Sequence, residues 1–287
     1  MFLPFDIPRI SERTAMPIVV PRNLRRLDQD EFRKLDYVVM RHVYDCQNEL
    51  GRLCDEEAYQ RDLAARIENA GLGTTRLEEP IEVIHESFLK RYEIDLIIAD
   101  GLFYETKAVS VLAGEHQRQL LTYLMLCDQP RGKLVNFRPT RVEDEFVNSP
   151  LRMTDRLQFQ IQAERWTALS DRCDWLRDLL NRLLGGWGAF LEVKLYVDAI
   201  AHFLRGESVV HRHIPLSRNG VHLGLQQFHL LTPDIAFRVT ALTREQEKYE
   251  SHLRRLLELT DLRAVQWINL RHHDIELVTI TREMAGR

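Results

Sequence analysis

The sequence predicts an α/β protein made of two tandem units of one fold, the second of them degenerate. Three observations predict it. Residues 92–99 and 102–109 are apolar runs on either side of Asp100-Gly101, the pattern of a β-hairpin. An amphipathic helical segment and another short strand follow, and hairpin, helix and strand then return in register in the second half of the 287-residue chain. A chain of that length has room for about two domains of ordinary size.

Taken in order, residues 1–28 carry Pro4, Pro8, Pro17 and Pro21 and read as an N-terminal arm, either packed across a domain or disordered. Residues 29–147 form the first unit. Its opening is a helical stretch on which Val39, Met40, Val43, Leu50, Leu53, Ala58 and Leu63 keep a three-to-four spacing, so that Glu56 or Glu57 can be aimed inward. The hairpin comes next. Side chains alternate along a strand, so Glu105 and Lys107 share a face while Thr106 points away, and pairing across a two-residue turn can bring Asp95 beside them. Residues 115–126 then read as an amphipathic helix with Gln119 and Tyr123, four apart, on one face, and residues 132–137 as a strand. Residues 148–167 carry the turn signal Asn148-Ser149-Pro150 and are expected to be linker and helix start. Residues 157–184 are expected to be largely helical, with Leu169, Leu176, Leu179, Leu180 and Leu183 on the apolar side, and residues 168–287 make the second unit.

The chemistry of Asp95, Glu105 and Lys107 is specific. Two carboxylates a few ångströms apart repel unless a hard divalent cation neutralises them, and oxygen ligands favour Mg²⁺ or Mn²⁺ over zinc. A neighbouring lysine can orient a water or offset charge developing on a phosphate. A solvated or ion-paired strand edge is the plain alternative for Glu-x-Lys alone. The flanking segments decide between them.

Glu49-Leu50-Gly51 with Glu56 and Tyr59, then Asp95, then Glu105-Thr106-Lys107-Ala108-Val109, then Gln119 through Leu124, then Gly132 through Phe137 occur in that order. On these pieces residues from about 35 to 147 resemble the GxxExxY family, a branch of the PD-(D/E)XK nuclease superfamily. The resemblance implies a restriction-endonuclease-like αβββαβ core. It also implies Asp95 and Glu105 as ligands of Mg²⁺ or Mn²⁺, Lys107 as the catalytic lysine, and Glu56 as the helix carboxylate that completes the metal site. Gln119 and Tyr123 match the Gln-x-x-x-Tyr element of the RecB-like branch. One departure is Leu53, which stands where the family's short motif carries its first glycine.

Residues 226–242, set against 93–109 at a constant offset, keep every apolar position without a gap, and Leu253, Leu257, Asn269 and Arg271 fall on Leu120, Leu124, Asn136 and Arg138. An internal duplication accounts for this. The chemistry does not return with it: Phe228 falls on Asp95, Arg238 on Glu105, Thr240 on Lys107, His252 on Gln119 and Leu256 on Tyr123. Glu192 survives on the helix and alone reads as a capping or surface group. All four tryptophans lie in the second half and read as core, and the scattered histidines there lack ligand spacing.

The expected function is therefore a metal-dependent nuclease acting on nucleic acid, DNA first, with one active and one inactive unit. The alternative is a non-catalytic binding or assembly protein that keeps a nuclease-like shell. With 39 basic against 43 acidic residues there is no global basic field, so DNA would have to meet a local one; the run Arg22, Arg25, Arg26, Arg33, Lys34 and Arg41 is interleaved with acids and reads as a solvated face. Cys46, Cys54, Cys127 and Cys173 lack Cys-x-x-Cys spacing, which fits reduced thiols in a cytoplasmic protein, and no apolar stretch is long enough for a membrane. A homodimer or a protein partner is left open.

Overall fold

The computed structural model describes residues 17–282. The first half runs β1 (Ile18–Val19), α1 (Gln29–Leu50), α2 (Glu56–Asn69), β2 (Thr75–His85), β3 (Phe88–Ile98), β4 (Leu102–Lys107), α3 (Gly114–Leu126), β5 (Arg131–Asn136) and β6 (Glu143–Asn148). The second runs α4 (Met153–Arg156), β7 (Gln160–Arg165), α5 (Asp171–Trp187), α6 (Val193–Phe203), α7 (Glu207–Val210), β8 (His211–Arg218), β9 (Val221–Thr232), β10 (Ile235–Thr240), α8 (Gln246–Glu258), β11 (Ala264–Arg271) and β12 (Asp274–Thr281). Two six-stranded sheets result, ordered β1-β2-β3-β4-β5-β6 and β7-β12-β11-β10-β9-β8. No described helix is long and apolar enough to cross a membrane.

The predicted hairpin forms, but its loop has three residues rather than two. Ile98 pairs with Leu102, leaving Ala99, Asp100 and Gly101 between them, with Ala99 at φ 47° and Asp100 at φ 59°. The arm explains the glycine: Arg25 N–H donates to Asp100 O at 2.8 Å, and a Cβ on Gly101 would stand 2.8 Å from Arg25 O. The described part of the arm thus packs on the sheet, with Ile18–Val19 paired to β2; residues 1–16 lie outside the described structure.

The single helical stretch expected across residues 39–63 is two helices. Asp28 caps α1 by accepting from Asp30 N and Glu31 N, and the helix stops at Gly51, whose φ of 75° a side chain would strain. Leu53 lies in the connecting loop, 84% exposed, so its helical spacing was fortuitous and no positive φ there calls for the family's glycine. The expected helix over residues 157–184 also needs correction. Residues 160–165 form β7, which pairs parallel to β12, and α5 begins only at Asp171. The alternation in Gln160-Ile161-Gln162-Ala163 is strand-like, and an open sheet edge beside β12 decides what local propensity leaves ambiguous.

The sheets are stacked with helices between them. On one face of the first sheet, α1 buries Val39 and Val43, and α2 Leu63 and Ile67, in one cluster with Leu96, Leu102, Tyr104 and Val135. Its other face carries Phe103, Ile97 and Leu134, which meet α3 through Leu120 and Leu124; in the same cluster Leu180, Trp187, Tyr196 and Ile200 of α5 and α6 continue to Phe237, Ile268 and Leu277 of the second sheet. The far face of the second sheet is closed by α8 through Leu253 and Leu257. The two sequence units therefore share one continuous core. Trp187 is fully buried and donates its indole N–H to Ile84 O at 3.0 Å, across the halves.

Strand pairing repeats between the halves. Phe103 pairs with Gly132 and Arg131 with Asn148; at the offset that carries Glu105 onto Arg238, Ala236 pairs with Val265 and Ala264 with Thr281. Leu96 pairs with Tyr104 and, at the same offset, His229 with Phe237. Side-chain supports repeat as well. Asn136 is buried, accepts from Val109 N at 3.1 Å and donates to Val109 O at 2.8 Å, and buried Asn269 does the same with Leu242 at 2.8 and 3.0 Å.

Candidate active site

The register that pairs Leu96 with Tyr104, continued one step, sets Asp95 opposite Glu105. The ladder is not extended there. Instead Asp95 Oδ2 accepts from Thr106 N at 2.8 Å and from Thr106 Oγ1 at 3.1 Å, so the Asp95 side chain replaces a backbone acceptor and is fixed to the strand that carries Glu105 and Lys107. Gln60 of α2 donates to the same Thr106 hydroxyl at 2.9 Å from the opposite side of the sheet.

Four of the six predicted site residues meet around one atom. Lys107 Nζ lies 2.7 Å from Glu105 Oε1, 3.3 Å from Glu56 Oε1 and 3.5 Å from Asp95 Oδ2, and also donates to Thr106 O at 2.7 Å. Glu56 reaches the cluster because α2 begins with it, immediately after the loop set by Gly51, and because Tyr59 one turn on anchors that loop by donating to Gly51 O at 2.9 Å. Gln119 and Tyr123 are held by each other, the amide donating to the phenol oxygen at 2.8 Å, and neither bonds to the other four. Tyr123 is still an electrostatic neighbour: burial, then the charges of Glu105 and Asp95, push its phenol above the ordinary range.

Burial dominates the electrostatics. Glu105 is fully buried, and desolvation, then the Asp95 charge, push its carboxyl up to about 8 against the pull of Lys107. Desolvation, the largest effect, also raises Glu56. Burial works against the Lys107 ammonium, yet Glu105, Asp95 and Glu56 together hold it above the ordinary lysine range.

The donor set fits a hard divalent cation. All three acids offer oxygen, and Glu105 Oε2 is buried with no hydrogen-bond partner, an acceptor whose desolvation nothing offsets. As they stand, the acids turn to Lys107, and among the described residues no three Asp, Glu, His or Cys side chains are arranged around a common ion position.

Two residues near this cluster escaped the sequence reading. Tyr92, three residues before Asp95, packs edge-on against Tyr123 at 6.0 Å between ring centres and donates to Glu192 Oε1 at 2.5 Å, so the second half reaches the edge of the site. Its place on a strand that also carries Asp95 was visible; its partner from a distant helix was not. Thr106, read as pointing away, matters for that reason, since its amide and hydroxyl hold Asp95.

At the equivalent place in the second half, Phe228 is buried, Arg238 is exposed and donates to the Tyr249 hydroxyl at 3.0 Å, and Thr240 accepts from the Trp267 indole at 2.9 Å while donating to Asn269 at 2.9 Å. Tyr196 donates to Gly188 O as Tyr59 does to Gly51 O, and this fixes the helix register. Val193 then stands at the place of Glu56, and Glu192 at the place of Asp55, so Glu192 is not the surviving helix carboxylate of a metal site. The acid that helix does turn toward the second hairpin, Asp198, lines a pocket with His229 and Arg238, and its carboxylate is paired with Lys90 at 2.6 Å and Lys194 at 2.9 Å.

Residues 33–148 match the PD-(D/E)XK nuclease superfamily. No curated protein matches the chain. A solved structure titled "Crystal structure of SSO0001" is similar at 20% identity with a TM-score of 0.28; the match covers 44% of this chain and 61% of that one, less than two thirds of its length.

Proposed function

We propose that the chain is a divalent-metal-dependent nuclease of the GxxExxY type, active on DNA, with one catalytic centre per chain. The convergence of Glu56, Asp95 and Glu105 on Lys107, within the segment that matches the nuclease superfamily, carries this reading. Asp95, Glu105 and Glu56 are the residues that would hold Mg²⁺ or Mn²⁺. That ion would supply Lewis-acid polarisation of a phosphoryl oxygen and a more acidic bound water. The chain's own part is positional. Thr106 fixes Asp95 and α2 delivers Glu56. The Lys107 ammonium, beside those acids, would orient the attacking water and offset charge on the phosphate. Gln119 and Tyr123, locked to each other, stand beside the cluster.

The second half is read as a degenerate copy of the first. The repeated strand register and the repeated Asn136/Asn269 and Tyr59/Tyr196 supports favour descent from one fold, while Phe228, Arg238, Thr240 and Val193 leave nothing to bind a cation. The test is cleavage of single-stranded and duplex DNA by the full chain with Mg²⁺ or Mn²⁺. Activity that needs the ion and disappears in a Lys107→Ala chain that still folds is the expected result; activity intact in Lys107→Ala sinks it. One observation favours a non-catalytic binding protein instead: the three acids turn to Lys107 rather than being arrayed for an ion. That reading predicts no cleavage of DNA or RNA with either metal, and partner binding that survives Asp95→Ala.

A further inference from the structure

The second half contains a cavity of about 520 Å³ where α6 ends and the chain turns through α7 into β8, and it shares no residue with the cluster around Lys107. Its rim is basic. Arg172 from the first turn of α5, Arg205 after α6, and Arg212 with His213 on β8 line it, and no Asp or Glu stands among its described lining residues. None of the three arginines makes an ion pair with a described residue, and Arg172 has only the Trp175 ring beside it, at 5.5 Å. Acidic residues outnumber basic ones in this chain, so three guanidinium groups around one cavity with no carboxylate among its described lining residues are a local exception. The planar fork of arginine suits phosphate oxygens.

The backbone adds a second observation. Arg205 lies just past the end of α6 at φ 80°, in the left-handed region that favours glycine, and Gly206 N–H closes the helix by donating to Ala201 O at 2.8 Å. A residue with a Cβ persists in that conformation when its side chain is wanted there. Beneath the rim the cavity is apolar, with Phe203, Leu230 and Leu231 in its floor. An anionic rim-binder with an apolar, planar body is the matching chemistry, and the volume lies in the range of small-ligand sites.

We propose that this cavity binds a nucleotide, its phosphate on Arg205, Arg212 and Arg172 and its base on the apolar floor. The nucleotide can be free or the 5′-terminal residue of a strand, and the site is independent of cleavage at Lys107. The experiment is calorimetric titration of the full chain in chelator with AMP, followed by competition with inorganic phosphate and with a short single-stranded oligonucleotide bearing or lacking a 5′-phosphate. AMP should bind, and Arg205→Gly and Arg212→Gln should each weaken it about tenfold or more, the loss of one charge-assisted contact. Because glycine suits the backbone at position 205, the melting temperature of Arg205→Gly should hold or rise, which separates lost binding from lost fold. Competition by the 5′-phosphorylated strand alone assigns a strand end, and failure of both strands to compete assigns a free nucleotide; either supports the site. No AMP binding, equal affinity in both variants, or phosphate competing as well as AMP overturns it. Chelator removes cleavage from the readout, so an inactive chain still returns an answer.

Discussion

The two hairpins of this chain share a backbone and differ in what fills it. In the first, three acids gather around one buried ammonium with Glu105 Oε2 unpartnered; in the second, Phe228, Thr240 and Trp267 occupy the corresponding strand positions, and the Thr240 hydroxyl is satisfied by Trp267 and Asn269. Yet Asn136 and Asn269 brace the loop after the central strand in the same way, and Tyr59 and Tyr196 close the same helix turn. The difference teaches that this fold does not depend on its charged cluster. Buried amides and tyrosines hold the frame in both halves, and the acids are an additional load on the first.

That contrast can be broken at several points. The largest effect should be on cleavage: Asp95→Ala should lower the rate about 10²- to 10³-fold or more, whereas Arg238→Ala, at the equivalent second-half surface, should leave it within about twofold, as measured by gel-based turnover. Equal losses would mean both halves take part in the chemistry. The next is a pH effect confined to the first half. A carboxyl raised from 4.5 to about 8 keeps its proton in the folded state across that window. The metal-free protein therefore loses stability as pH rises through it, and a cation must displace that proton to bind. The affinity for Mg²⁺, read as the shift in melting temperature between pH 6 and 9, should climb by up to about tenfold per unit and level off above pH 8. A flat profile removes Glu105 from the ligand set.

Smaller effects test the shared frame. Asn136→Ala and Asn269→Ala should each cost about 1–2 kcal/mol in urea unfolding, since each leaves a half-buried backbone N–H and carbonyl without partners. A large loss in one and none in the other would mean that the two loops are braced differently. Tyr59→Phe and Tyr196→Phe should cost about 1 kcal/mol each, the worth of one hydrogen bond. Tyr196 should be the dearer because the Gly188 carbonyl it leaves unpaired is buried, whereas that of Gly51 is half-buried and can turn to water.

Much of the first half was legible locally. Alternation along the hairpin put Glu105 and Lys107 on one face, and the four-residue spacing of Gln119 and Tyr123 became a hydrogen bond. Elements were less legible where neighbours outvoted local pattern. Residues 160–165 joined a sheet edge instead of a helix, and Leu53 kept helical spacing while lying in an exposed loop. Glu192 was misjudged for a different reason: without the Tyr196–Gly188 bond, nothing in the letters fixes the register of α6 to within one residue, and a shift of one turns Glu56's counterpart into Val193.

What the sequence determined by itself was the succession of hairpin, helix and strand in each half, the chemical kinds at each hairpin and the absence of the acids from the second, because period and residue type are local properties of a chain. Tertiary structure alone decided that the two units share one core, that Thr106 rather than the strand ladder holds Asp95, and that Tyr92 bonds to Glu192 from the other half. Those depend on which surfaces meet at long range, where burial and unpaired polar groups, not neighbours in sequence, set the energy.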